Sequence, residues 1–348
     1  MENTKEEGNG RIIAFDCLRV LAAFAVVVLH VAAQNFSISV RTFEWNVYNF
    51  FDGAVRWCVP VFVMISGALF LNPTKKVSIK KLYRKYVLHI VVLFAVWSLF
   101  YTVRYSLLRG VGIKDCVRIF FTGHYHMWYL QMTIGVYILI PVLKKITETA
   151  MLTRYFLLVG LVMTYVIPTL LQFPNIGILR QGVSNMKFYM TLGYPFYFVL
   201  GYYLANETFG VRARRLIYLL GLLGFAVTIG LSGWLSWEAG TNRALYSDFS
   251  LNVLLESVGV FVFIKYHFTE KKTGRRMKGI FSRMSGYTLG IYLIHPFVLT
   301  ELGNRAGFKV TSFNPVLSVP ALSTVTFLIS FLLIYIIRRI PKVGKIIA

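Results

Sequence analysis

Apolar runs of about 20 residues, parted by short polar and basic stretches, organise the whole chain; a helix needs about that many to cross a bilayer. The pattern predicts ten membrane spans, at about 12–33, 46–71, 83–108, 127–145, 152–172, 188–206, 213–233, 248–267, 284–303 and 317–340. The connections are short apart from about 109–126. The expected fold is all-α, a polytopic membrane helical bundle of about ten transmembrane helices forming one domain over 1–348, with 1–10 a flexible tail. That tail is polar and lacks the basic start of a cleaved signal peptide, so the first span is expected to stay in the mature protein. No soluble domain is expected at either end.

Composition agrees with the pattern. The 348 residues are 57% hydrophobic and only 15% charged, with mean hydropathy +0.63, where soluble domains average about 25% charged. The net charge of +23 does not point to nucleic acid, because the basic residues sit between apolar runs and act as topology signals. Alternate connections hold 25 of the 37 lysines and arginines, against 10 in the other set, with Arg19 and Arg56 inside spans. The richer set is expected to face the cytoplasm, with both termini on that side. Cys17, Cys58 and Cys116 are scattered and form neither a disulfide framework nor a metal motif.

The first span is the chain's organising stretch. It carries Asp16, Arg19 and His30 among apolar residues, and an ionisable side chain in a membrane helix is a functional candidate by default. Arg19 and His30 are 11 residues apart, about three turns plus 20°, so they share a face and lie roughly 16 Å apart along the axis. Asp16 precedes Arg19 by one turn, at ion-pairing distance. With the N-terminus inside, the stripe runs from the inner half of the bilayer to the outer face.

Other spans carry further candidates. Asp52 and Arg56 are one helical turn apart and able to pair. Pro60 is expected to interrupt the second span, and Ser66-Gly67 lets a helix or ligand approach closely. A kinked packing helix with a neutralised ion pair is the plainer reading. His124, His126, Trp128, Tyr129 and Gln131 lie around the outer end of the fourth span, where an aromatic belt is expected in any case; His124 reads as a solvated loop residue and His89 as a packing histidine. Arg104, Arg109, Lys114 and Arg118 form a basic outer stretch, fit either to attract an anionic acceptor or to face anionic lipid. In the ninth span, His295 precedes Pro296, which is expected to bend the helix, and Glu301 lies further out. Glu256 is another intramembrane carboxylate. Topology brings His30, His126 and His295 to similar depth. No histidine spacing matches a zinc motif, so no metal is expected.

These residues resemble the acyltransferase-3 family of integral membrane acyltransferases. The first span is similar to its Arg-x10-His signature through Arg19 and His30, after Asp16. The second resembles its VPxFxxxSGxxF element through Val59, Pro60, Phe62, Ser66, Gly67 and Phe70. HMWYL, Gly201-Tyr202-Tyr203 and IYLIHP resemble later landmarks. Where many relatives place Glu in the fourth span, this chain has Gln131. The resemblance implies a donor substrate, acyl-CoA and most often acetyl-CoA, with no permanently bound cofactor. It implies O-acylation of a glycan, lipid-linked sugar or other acceptor at the outer face of a bacterial inner membrane. The chain is expected to match the short, stand-alone members that lack a periplasmic hydrolase-like domain. His30 is then the general base, suited by its ordinary pKa of about 6.5. Arg19 orients the donor with its forked guanidinium and Asp16 holds Arg19. Arg56, Ser66 and Gly67 bind the donor or shape the site, and His126, Trp128, His295 and Glu301 are acceptor-side candidates. Partners are acyl-CoA, the acceptor and the lipid bilayer, with no nucleic acid.

The competing reading is a secondary transporter or flippase, for which intramembrane charges are equally suitable. A matching inverted repeat is not evident in the sequence. A non-catalytic membrane sensor is the third reading, against which the retention of both Arg19 and His30 counts.

Overall fold

A computed structural model describes residues 12–75, 77–171, 189–241, 244–341 and 344. The predicted N-terminal tail lies outside them, as do the last residue of the fifth predicted span and the first of the sixth. The described residues are helical and contain no strand. Helix α1 (Ile13–Ala32) is followed by α2 (Phe43–Gly53), α3 (Cys58–Phe70), α4 (Leu88–Arg109), α5 (Ile113–Thr122), α6 (Trp128–Ile138), α7 (Ile140–Ile146) and α8 (Ala150–Gly160). Then come α9 (Tyr189–Asn206), α10 (Val211–Ala226), α11 (Ser232–Ala239), α12 (Leu251–His267), α13 (Arg275–Met284), α14 (Thr288–Arg305) and α15 (Pro315–Arg338).

Seven helical stretches are long and apolar enough to cross a membrane, and an eighth is the bent pair α6–α7. The chain is therefore a multi-pass membrane protein. The sixth and ninth predicted spans correspond to α9 and α14, both 18 residues long, which fall outside that apolar set. In α14 the polar residues His295, Glu301, Asn304 and Arg305 dilute the apolar run.

Helix α1 is the hub. Of its most apolar window 72% is buried, against 22% to 56% in the other six stretches. It packs on α2, α3, α12, α13, α14 and α15. Its interior has no glycine or proline, and its small alanines and valines let neighbours close in. A helix surrounded on all sides places its polar groups against protein instead of lipid, which is where ionisable groups are tolerated.

Two breaks shape the bundle. The second predicted span is two helices, α2 and α3, separated by the turn at 54–57. The break comes before Pro60, which occupies the first turn of α3, where its missing N–H costs no hydrogen bond. The expected interruption is present, but its position is set by the turn that holds Arg56. The fourth predicted span bends by 57° between α6 and α7, where Pro141 starts the second helix. Helix α14, by contrast, continues through Pro296.

Helices α3 and α9 touch backbone to backbone. A Cβ on Gly67 would lie 1.7 Å from the Phe198 carbonyl oxygen, and one on Gly201 would lie 2.0 Å from that of Met64. Gly67 thus serves helix packing and not ligand approach. Gly67→Ala should force the two helices apart, since overpacking costs about 1–3 kcal/mol or more. The expected result is a lower melting temperature of the purified protein. Gly230→Ala, where no atom lies within 4 Å of the new Cβ, should leave it nearly unchanged.

Candidate active site

Four histidines from three parts of the chain converge at one end of the bundle. His30 comes from α1, His124 and His126 from the turn before α6, and His295 from α14. His30 Nδ1 lies 2.7 Å from His295 Nε2, with the two rings nearly parallel at 15°. His126 meets His295 edge to face at 5.6 Å. His124 Nδ1 lies 3.0 Å from His126 Nδ1.

The backbone fixes which nitrogen carries each proton. A carbonyl oxygen only accepts, so His295 Nδ1, 2.7 Å from the Tyr292 carbonyl, must be the donor there. His295 Nε2 is then an acceptor and takes the hydrogen bond from His30 Nδ1–H. The network therefore assigns the lone pair of neutral His30 to Nε2. In the same way His126 Nε2 donates to the Leu293 carbonyl at 3.3 Å, and its Nδ1 accepts from His124. Tyr101 donates to that same carbonyl at 2.8 Å, and the Tyr292 hydroxyl donates to the His126 carbonyl. Backbone and side chains of α14 thus orient the whole cluster.

His30 lines a cavity of about 360 Å³ together with Arg56, His126, Trp128, Tyr194, Tyr246, Asp248 and Tyr292. Arg56 Nε donates to Asp52 Oδ2 at 2.9 Å, and Nη1 donates to the Tyr246 carbonyl at 3.3 Å. The guanidinium lies 4.6 Å over the Tyr246 ring. The Tyr194 hydroxyl donates to Asp248 Oδ2 and that of Tyr197 to the Asp248 carbonyl, both at 2.7 Å. Asp248 Oδ1 has no hydrogen-bond partner among the described residues. The cavity therefore combines aromatic faces with a charged donor and an open carboxylate oxygen.

A second cavity, of about 350 Å³, is lined by Arg19, Ser66, Phe70, Lys75, Tyr86, His89 and Tyr137, among others. It shares Val26, Val59 and Tyr292 with the first. Those three side chains lie between the cavity at the Arg19 end of α1 and the cavity at His30. Asp16 is buried and accepts from Arg19 Nη1 at 3.2 Å and from Ser285 at 2.8 Å, which ties Arg19 to the start of α14. Lys75 lies 4.0 Å over the Phe70 ring, and Lys144 Nζ donates to the Lys75 carbonyl at 2.5 Å. Burial pushes the Lys75 ammonium down from its usual range, and Lys144, Lys85, Arg19 and Lys81 push it further. An accumulation of cations that depress one another is a site complementary to an anion.

The predicted residues separate accordingly. His30, Arg56, His126 and Trp128 line the first cavity, and His295 stands behind His30. Arg19 and Ser66 line the second, with His89. Glu301 joins neither; it pairs with Arg104 and Arg305 on another surface. Gln131 donates to the Phe121 carbonyl at 3.1 Å, and buried Glu256 accepts from Thr228. His124 is not a solvated loop residue. It stacks on Tyr101 at 4.2 Å and belongs to the cluster, because the turn folds back onto α4. Sequence reading passed over Asp248, Tyr246, Tyr292, Ser285 and Lys75. Lys75 left a signal as part of a basic run counted for topology alone, and Tyr292 as part of the IYLIHP landmark. Among the described residues no three His, Cys, Asp or Glu side chains are placed to share a metal ion.

A family model described as an acyltransferase domain matches residues 12–335. No curated protein and no solved structure gives a significant match.

Burial, and then the nearby Arg104 charge, lower the His124 pKa to about 4 from 6.5. The unfolded chain therefore takes up this proton first, and the stability linked to neutral His124, complete above about pH 6.5, is lost as the pH falls towards 4. The melting temperature of the detergent-solubilised protein should fall across that window. His124→Gln should shrink the fall, and an unaltered fall in the variant would contradict this assignment.

Proposed function

The chain belongs to the acyltransferase-3 family of membrane acyltransferases, and on that premise we propose that it moves a short acyl group, acetyl in the first instance, from acyl-CoA to an acceptor hydroxyl at the histidine end of the bundle. The observation that carries this reading is the pair of cavities meeting at Val26, Val59 and Tyr292, with cations at one end and His30 at the other. The excess of basic connections on the Lys75 side supports placing that end in the cytoplasm, where acyl-CoA is made, and the acceptor at the outer face of a bacterial inner membrane.

The donor enters from the Lys75 end. Its phosphates lie among Lys75, Lys144 and Arg19, matching charge to charge. The pantetheine arm is apolar enough to follow Phe62, Leu69 and Tyr137 in the second cavity wall. The partition at Val26, Val59 and Tyr292 opens by side-chain rotation, which brings the thioester to His30. Arg19 is held by Asp16, so its fork is set before the donor arrives.

The acceptor occupies the first cavity. Flat aromatic walls from Trp128, Tyr194 and Tyr246 suit the apolar faces of a sugar ring, and Asp248 Oδ1 takes a hydrogen bond from a neighbouring hydroxyl. His30 Nε2 removes the proton from the attacking hydroxyl. As positive charge develops on His30, its Nδ1–H bond to His295 strengthens and spreads it. The hydroxyl oxygen adds to the thioester carbonyl, the C–S bond breaks, and the proton held by His30 passes to the departing thiolate. The products are the acyl ester and free CoA. Arg56 stands beside the reacting carbonyl and steadies its negative charge.

Purified protein in proteoliposomes should transfer label from radiolabelled acetyl-CoA to hydroxyl acceptors. His30→Ala, with its folding intact, should lose about 10²-fold or more, the usual contribution of a positioned general base. Undiminished transfer by the variant would remove His30 from this role. Absence of transfer together with absence of saturable acetyl-CoA binding would favour the transporter reading.

A further inference from the structure

A third concavity lies away from the acyl-transfer cavities, on the outer surface between α4 and α14. It measures about 550 Å³. Its floor is apolar, formed by Leu99, Phe100, Val103, Leu107 and Phe297. Arg104, Glu301 and Arg305 rim it. The floor faces outwards, since Leu107 is 82% exposed and Leu99 55% exposed, and on a membrane-spanning helix that surface meets lipid.

The rim is unusual in its charge. Glu301 Oε1 accepts from Arg104 and Oε2 accepts from Arg305 Nε. One carboxylate therefore holds two guanidinium groups, and the cluster keeps a net positive charge. Arg104 Nε and Nη1 and both Nη groups of Arg305 make no hydrogen bond among the described residues. Glu301 thus fixes the two forks in place and leaves donors open. Fixed guanidinium forks match a phosphate oxygen pair. The rim sits in the last turns of α4, which closes at Gly110 with φ of 62°, and helix ends are where lipid headgroups lie.

We propose that an anionic phospholipid occupies this groove, its phosphate on Arg104 and Arg305 and one acyl chain along Leu99, Val103 and Phe297. The occupant must join a negative headgroup to an apolar chain, because the rim and the floor demand both at once. The groove's inner wall also adjoins the histidine cluster: Phe100 packs on Phe297 at 5.4 Å and on Tyr101 at 5.2 Å, and Tyr101 stacks on His124 at 4.2 Å. A chain in the groove therefore supports the ring that holds the cluster. The proposal does not depend on acyl transfer.

Native mass spectrometry of the delipidated full chain in detergent tests it, with phosphatidylglycerol, phosphatidylcholine and a polyprenyl phosphate as probes. One phosphatidylglycerol should be retained at about a tenfold lower concentration than phosphatidylcholine, given the attraction of two arginines for an anionic headgroup. Arg305→Gln, at a residue whose side chain is 84% exposed and so without consequence for folding, should weaken that preference several-fold. Val103→Trp, which fills the groove and spares both arginines, should abolish retention. Equal retention of the two phospholipids, an unchanged preference in Arg305→Gln, or full retention in Val103→Trp would each overturn the proposal. Preferential retention of the polyprenyl phosphate would overturn the assignment of a phospholipid.

Discussion

The hydrogen bond between His30 and His295 sets the chemistry of the bundle. A ring N–H buried in apolar surroundings must find an acceptor or lose the solvation that water gave it. Here His30 Nδ1 is satisfied by His295 Nε2, and His295 Nδ1 by the carbonyl one turn back on its own helix. The chain of donors ends on a main-chain oxygen, which cannot reverse. The direction of the whole relay is therefore set by backbone geometry, and the basic nitrogen of His30 is fixed without any ionised partner. That arrangement differs from a histidine oriented by a carboxylate. It avoids placing a bare negative charge in a membrane interior, where such charges are expensive.

The two ends of α1 solve opposite problems with the same helix. At one end, Asp16 holds the Arg19 guanidinium and is itself held by Ser285, in a polar corner against the start of α14. At the other, His30 lies among the rings of Tyr125 and His295. Helix α14 meets both ends, through Ser285 just before its first turn and His295 in its middle. The α1–α14 pair is thus the frame on which the two cavities hang. The groove between α4 and α14 uses the far side of that frame, so Glu301, placed by sequence near the acceptor, instead organises a surface that faces lipid.

Much of this was legible in the sequence. An 11-residue spacing puts Arg19 and His30 on one helical face whatever surrounds them, and the Asp16–Arg19 pair follows from helical repeat alone, whereas the Asp52–Arg56 pair forms across the end of α2, with Arg56 on the turn that follows. Depth is also legible, which is why His126 and His295 could be grouped with His30. Lateral contact is a tertiary property, and depth does not supply it. His124 and Glu301 illustrate the difference: the first sits in a loop that folds inward onto Tyr101, the second on a helix face that turns outward. Asp248 and Tyr246 lie just before α12, in a stretch with no periodicity to read, and acquire meaning only because Arg56 arrives there on a break in the second span. Local breaks were half legible. Pro60 announced one, but a proline early in a helix fits the first turn, so the turn itself fell one step earlier.

In the proposed mechanism, one passage joins the cationic mouth at Lys75 to His30. The most direct measurement is the structure of the protein with a non-reactive acetyl-CoA analogue bound, in which a methylene replaces the thioester sulfur. Transfer along that passage requires the nucleotide phosphates among Arg19, Lys75 and Lys144, the arm between Val26, Val59 and Tyr292, and the carbonyl carbon within about 4 Å of the basic nitrogen of His30, close to a reactive approach. A nucleotide bound at the histidine end, or an acyl group stopped on the Arg19 side of a closed partition, would contradict it.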